Sequence, residues 1–116
     1  MSGVPESFRA LRIHKAGDGV QARFETLRLA DLTPGEVVVR VTHSTINYKD
    51  VLAATGRSPI LRRYPLVGGI DLAGTVLASD DARFRAGDAV LCFGGGLSES
   101  LDGGYSEIAR VPASIL

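Results

Sequence analysis

Leu32-Thr33-Pro34-Gly35-Glu36-Val37-Val38-Val39-Arg40-Val41-Thr42 is the stretch that decides the fold. Proline presets φ and glycine tolerates positive φ, so residues 32–36 read as a turn. The turn delivers a run of β-branched side chains, which fit a pleated surface and crowd a helix, and residues 37–42 therefore read as the strongest strand. Upstream, Ala10-Leu11-Arg12-Ile13-His14 alternates apolar and polar residues with the period of a half-buried strand. Gly17-Asp18-Gly19 supplies a turn after it, and a second extended piece covers residues 22–29. Downstream, the pattern changes at Asn47. Residues 47–56 open with a residue able to cap a helix, continue with helix formers and stop at Gly56, which predicts one short helix. Residues 57–69, with Pro59, Pro65 and Gly68-Gly69, read as loop. Strands follow over 71–77 and 89–93, separated by turns at Asp80-Asp81 and Gly87-Asp88. Gly94-Gly95-Gly96 then opens a flexible excursion that ends at Gly103-Gly104, before a last strand over 105–111. Six or so short strands with one helix make a mostly β domain, closed or nearly closed to hide its edges.

The size agrees with one such domain. The chain has 116 residues, 45% of them hydrophobic, and a chain of this length buries roughly 60–70% of its unfolded surface without help from metals or disulfides. Lys+Arg 13 against Asp+Glu 13 leaves no net charge, and no long basic run is present, which argues against nucleic acid as a partner. No apolar stretch approaches the roughly 18 residues that span a bilayer. The start, MSGVPESFRA, lacks a basic segment followed by an apolar core. The expectation is a cytoplasmic protein with no membrane partner. Cys92 is the single cysteine and lies in the apolar run 89–93, so it reads as a buried, inert thiol. Glycine is high, at 14 residues where about 7% is usual, as expected for many tight turns.

Few residues carry chemistry. His14 and His43 fall within strands and no nucleophile elbow or zinc-binding helix motif is present, so both read as ordinary strand histidines. The glycines at 94–96 do not form a phosphate cradle, because Glu99 stands where the third glycine of Gly-x-Gly-x-x-Gly is needed and no helix follows. The helix start is the best candidate. Asn47, Tyr48, Lys49 and Asp50 place an amide, a phenol, an ammonium and a carboxylate at the positive end of a helix dipole, suited to a carbonyl oxygen or a carboxamide. The same residues also read as a plain cap, with Tyr48 packed and Lys49 and Asp50 solvated. Arg57, Arg62 and Arg63 read either as a solvated loop or as contacts for a substrate phosphate.

Taken together, residues 34–41, Ile46-Asn47-Tyr48-Lys49-Asp50, residues 64–76 around Gly68-Gly69-Ile70-Asp71, residues 84–90 and Gly103-Gly104-Tyr105-Ser106-Glu107 resemble the N-terminal catalytic domain of medium-chain dehydrogenases/reductases. The resemblance covers nearly the whole chain, 1–116, with motifs in the family's order and spacing. Asn-Tyr-Lys-Asp followed by Gly-Ile-Asp resembles the zinc-independent quinone oxidoreductase branch that includes acrylyl-CoA reductases. The implied fold is a GroES-like, partly closed β barrel. Zinc-containing relatives carry a cysteine where Asn47 stands and Gly-His-Glu where Gly69-Ile70-Asp71 stands, so no zinc is implied. In this branch NADPH hands a hydride to an activated C=C or to a quinone. The resemblance implies that Tyr48 and Asn47 sit at the nicotinamide, and that Asn47, Lys49 and Asp71 serve catalysis. It also motivates an expected ion pair between Lys49 and Asp71 near the former metal position.

Family members continue into a Rossmann domain that holds the dinucleotide, and this chain stops at Leu116 without one. The expectation is a substrate-side domain with a small-molecule substrate. It works with a Rossmann domain in the full-length protein, for which a homodimer is left open. On its own it is inactive and binds NADPH weakly or not at all. The rival expectation is a stand-alone GroES-like binding or scaffold module in which residues 47–50 only cap the helix.

Overall fold

A computed structural model describes residues 3–116. Met1 and Ser2, the first residues of the stretch read for a secretory signal, lie outside the described residues. The elements in order are β1 (Phe8–Ala16), β2 (Gly19–Leu27), β3 (Val37–His43), α1 (Tyr48–Thr55), β4 (Leu66–Val67), β5 (Asp71–Ser79), β6 (Ala89–Phe93) and β7 (Ile108–Val111). Short 3-10 turns cover Leu29–Asp31 and Ala113–Ile115. They form two antiparallel sheets, one of order β2-β1-β4 and one of order β6-β5-β3-β7. No helix among the described residues is long and apolar enough to cross a membrane.

The valine run explains the architecture. β3 is an interior strand, paired with β5 on one side and β7 on the other. Val37 and Val39 enter a core with Leu72, Val76, Cys92, Leu97, Ala109 and Val111. Val38 points to the opposite face, into a second core with Phe8, Ala10, Leu27, Leu32, Val67 and Ile108. A strand covered on both faces needs apolar side chains at consecutive positions, and each such side chain contributes roughly 1.5–3 kcal/mol by leaving water. A third core holds Ile13, Ala53, Leu61 and Leu66 and seats α1 on the first sheet.

The two sheets are joined by residues 105–107. Leu11 N–H donates to Tyr105 O at 2.8 Å and Glu107 N–H donates to Arg9 O at 3.0 Å, while Val41 N–H donates to Glu107 O at 3.0 Å. The domain is thus mostly β with one helix, as expected from the sequence. The expectation of a partly closed barrel holds in this form: the sheets meet along one seam and do not close.

Three local readings differ. The loop 57–69 contains β4, a two-residue strand that pairs Leu66 with Ile13 and Val67 with Arg12 and is too short to leave a periodic signal. The last strand begins at Ile108 because residues 105–107 cross between sheets rather than extend one. The excursion expected to be flexible is instead packed, with Leu97 and Ser98 fully buried. The buried Asp102 carboxylate accepts Thr33 N–H and Val67 N–H, each at 2.7 Å, and Asp102 N–H donates to Thr33 Oγ1 at 3.0 Å. The glycines there answer a conformational need, since Gly94, Gly95 and Gly96 all have positive φ.

Gly103 and Gly104 serve close approach. Gly103 N–H donates to Val67 O at 2.8 Å, Gly104 N–H to Gly69 O at 3.0 Å and Tyr105 N–H to Gly68 O at 2.9 Å. A Cβ on Gly104 would overlap the Asp71 carbonyl oxygen, and one on Gly103 would overlap that of Gly69. The two glycine pairs therefore let two backbones lie against each other, which brings Asp71 and Tyr105 to one place.

Candidate functional site

β3 and β5 slip register between Val41 and His43, and the chain then leaves the sheet toward α1. Asn47 occupies the position before the helix with extended backbone, φ −115° and ψ 162°. Gly56 ends it with φ +73°, and its N–H donates to Leu52 O at 3.0 Å. Buried Ala53 holds the helix on Ile13, Leu61 and Leu66. The helix start is thereby fixed against the seam between the sheets.

Five polar side chains meet there, those of Thr45, Asn47, Asp50, Asp71 and Tyr105. Asp50, only 3% exposed, accepts Asn47 N–H at 2.9 Å and Asn47 Nδ2 at 3.1 Å on Oδ2, and Ile70 N–H at 3.0 Å on Oδ1. The backbone contact is one half of a capping box, a carboxylate three residues into a helix reaching back to the residue before it. Asp71 accepts Thr45 N–H at 2.9 Å on Oδ1, and the Thr45 hydroxyl and Asn47 Nδ2, the latter at 3.5 Å, on Oδ2. Tyr105 O–H donates to Thr45 O at 2.8 Å. Burial, reinforced by the charges of Asp50 and Asp71, pushes the Tyr105 phenol up, so it remains a protonated donor across the working pH range.

Asn47 and Asp71 are therefore brought together, but Lys49 and Asp71 do not form the expected ion pair. Lys49 Nζ pairs with the Glu99 carboxylate instead. Asp71 is already engaged by Thr45 and Asn47, and the packed 96–102 segment carries Glu99 to the helix, where Glu99 O also accepts Arg62 N–H at 2.7 Å. Of the two readings of the helix start, the plain cap misplaces two residues. Tyr48 is 79% exposed rather than packed, and Asp50 is buried rather than solvated. Arg57, Arg62 and Arg63 are exposed. The residues missed from sequence are Thr45, Glu99, Tyr105 and the pinning role of Asp50. Only Asp50 left a signal, its spacing from Asn47.

The remaining singled-out residues have structural partners. His14 pairs with Glu25, which also meets Arg23 at 3.0 Å and Arg12 at 3.5 Å, and His43 Nδ1 lies 3.0 Å from Thr42 Oγ1. Cys92 is buried as expected, and burial, with the Asp71 charge, pushes its thiol up. Among the described residues no three His, Cys, Asp or Glu side chains converge as metal ligands would.

Apolar surface flanks the polar cluster on two sides. A groove of about 740 Å³ has Asp50 and Tyr105 in its lining beside Phe24, Ile46 and Val51, with Ile46 82% exposed. A smaller groove of about 260 Å³ runs past Thr45 and Asp71 to Leu91 and Phe93. Phe93 is 78% exposed and is the cross-strand partner of Asp71. Directly opposed residues share a sheet face, so this ring and that carboxylate stand side by side.

A partly closed, two-sheet β domain that carries an Asn-Tyr-Lys-Asp helix start beside Gly-Ile-Asp is of the GroES-like class. The chain belongs to the alcohol dehydrogenase GroES-like domain family, whose match spans residues 33–116, within the medium-chain dehydrogenases/reductases. It is 45% identical over 109 residues to the Bacillus subtilis (strain 168) protein named "Putative quinone oxidoreductase YhfP", covering 94% of this chain and 33% of that protein. It is also 45% identical over 103 residues to the probable acrylyl-CoA reductase AcuI of Escherichia coli (strain K12), covering 89% of this chain and 32% of that protein. The yhdH oxidoreductase of Salmonella enterica, in complex with NADP, superposes with a TM-score of 0.89 at 43% identity, over 92% of this chain and 33% of that one. Bacillus subtilis yhfP with NAD bound gives 0.88 at 44% identity, over 94% and 33%. The chain spans about a third of the length of the relatives it matches.

Proposed function

We propose that this domain forms the substrate-side wall of an NADPH-dependent, zinc-independent reductase that acts on an activated C=C, of the acrylyl-CoA kind, or on a quinone. The observation that carries the reading is the exposed Tyr48 ring beside the ordered Asn47–Asp50–Asp71 cluster, in a sequence 45% identical to the probable acrylyl-CoA reductase AcuI. The residues present fit a nicotinamide. An unpacked aromatic ring and an oriented amide can meet its face and its carboxamide, whereas a dinucleotide's phosphates find no glycine-rich cradle in this sequence. They do not fit zinc, because Ile70 has no donor atom and the Asn47 amide nitrogen is directed at Thr45, Asp50 and Asp71.

NADPH, when bound, supplies the hydride. The chain's own residues then stabilise what forms on the acceptor. Hydride arrival at a conjugated carbon leaves an enolate oxygen, and fixed donors lower its energy where no metal does. The Tyr48 hydroxyl and the Lys49 ammonium are the donors at the helix start, with Glu99 holding Lys49 in place. Asp71 and Asp50 hold Asn47. Arg57, Arg62 and Arg63, exposed and next in sequence to the helix, are placed to meet the phosphates of an acyl-CoA. The dinucleotide's phosphates and adenosine fall to a Rossmann domain in the complete polypeptide.

Calorimetry with NADPH tests this division. The 116-residue chain alone is expected to show no micromolar binding and the complete gene product to show it. Micromolar binding by this chain alone, or none by the complete gene product, contradicts the proposal.

A further inference from the structure

His43 ends β3 as an exposed side chain, and its neighbours set its tautomer. The Thr42 hydroxyl donates to Ala73 O at 3.2 Å, because a carbonyl oxygen only accepts. With its one proton directed there, Thr42 Oγ1 can only accept from His43 Nδ1, 3.0 Å away. Nδ1 therefore carries a proton, and Nε2 is the end of the ring that exchanges one with its surroundings. Cross-strand register sets His43, Ala73 and Leu91 in one row across β3, β5 and β6, with Asp71 and Phe93 in the next row on the same face. The groove of about 260 Å³ runs over both rows, so the imidazole and the Thr45–Asp71 end of the polar cluster line one surface.

The reaction proposed above, on which this step rests, needs a second hydrogen. Hydride addition to the β-carbon of an unsaturated thioester moves the C=C electron pair into an enolate, and saturation is complete only when the α-carbon gains a proton. The cluster itself is poorly placed to give one. Asp50 and Asp71 accept hydrogen bonds, Tyr105 directs its O–H to Thr45 O, and Lys49, paired with Glu99, serves the enolate oxygen with Tyr48. We infer that His43 is the general acid that protonates the α-carbon. Its Nε2–H bond breaks, the enolate pair forms the new C–H bond, and the imidazolium becomes a neutral ring that still holds Nδ1–H toward Thr42. That product is the tautomer the fold already fixes, so the ring need not turn, and water returns a proton to the exposed Nε2. Thr42 is a positioning residue, acting only through the ring it orients.

The test uses the complete gene product with NADPH and acrylyl-CoA. His43→Gln is expected to lower turnover about a hundredfold, the usual contribution of a positioned acid. In His43→Ala, added imidazole is expected to restore much of the loss, which it would not do for a residue that only supports the fold. Nitrogen-15 spectra of the histidine rings, assigned by difference with His43→Gln, provide a readout that needs no turnover. The Nδ1–H tautomer is expected at His43 in the wild-type protein, and its loss in Thr42→Val. Undiminished turnover in His43→Gln, a loss that imidazole does not restore, or an Nε2–H tautomer in the wild-type protein each overturns the inference. Wild-type NADPH oxidation with a benzoquinone but not with acrylyl-CoA overturns it alone, and oxidation with neither overturns it together with the proposed function.

Discussion

Asp50 and Asp102 are carboxylates buried to nearly the same degree, 3% and 4% exposed, and each joins segments distant in sequence by accepting backbone N–H groups. Their surroundings differ in one respect. Both oxygens of Asp102 hold backbone, Thr33 on one and Val67 on the other, in a segment where Leu97 and Ser98 are also buried. Asp50 also holds backbone, that of Asn47 and Ile70, but one oxygen continues to a side chain, the Asn47 amide, at the edge of the fold. The same buried charge therefore does two jobs. At Asp102 it closes a loop onto the core, and at Asp50 it fixes the direction of a group that a ligand can reach.

Substitutions can break that comparison. The largest effect is expected where the two regions share backbone. Gly104→Ala sets a Cβ into the Asp71 carbonyl, and overpacking of this kind costs about 3 kcal/mol or more when only backbone can give way. In the complete gene product it should therefore lower stability in urea unfolding and abolish NADP⁺ binding together, because Asp71 is displaced. Gly19→Ala, whose Cβ would meet nothing nearer than Ala16 O at 3.8 Å, should change stability by less than about 1 kcal/mol.

Replacing each carboxylate by its amide separates the two roles. Asp102→Asn turns an NH₂ toward one of two buried N–H donors and should cost about 2–3 kcal/mol while leaving nucleotide affinity of the folded protein unchanged. Asp50→Asn should cost about 1–2 kcal/mol and also weaken NADP⁺ binding by the complete gene product about tenfold, since Asn47 loses the acceptor that orients it. Equal effects of the two variants on affinity would erase the distinction.

The fold was legible wherever it depended on local pattern. The valines at 37–39 announce a strand, and Asn47 and Gly56 bracket the helix to the residue. The site was legible only in part, because its members are fixed by long-range geometry. The resemblance pairs Lys49 with Asp71 because both flank motif positions that surround the metal in zinc-containing relatives, but the partner Lys49 finds is Glu99, 50 positions away. Glu99 can reach it only because the 94–104 segment packs, and in sequence that segment looks like a glycine-rich tether. Tyr105 stands in the Gly103-Gly104-Tyr105-Ser106-Glu107 motif with no sequence pattern that assigns it a role. Its hydroxyl bond to Thr45 depends on the approach of the two glycine pairs, which no spacing rule encodes.

The central claim is that this domain presents an acceptor to a nicotinamide hydride. Its most direct test gives the complete gene product NADPH deuterated at the transferred position, with acrylyl-CoA and with a benzoquinone in parallel, and follows the label by mass spectrometry. Label at the β-carbon of the saturated thioester, or NADPH oxidation with formation of hydroquinone, is the predicted result, with turnover reduced in Lys49→Met. Absence of NADPH oxidation with both acceptors would contradict the account.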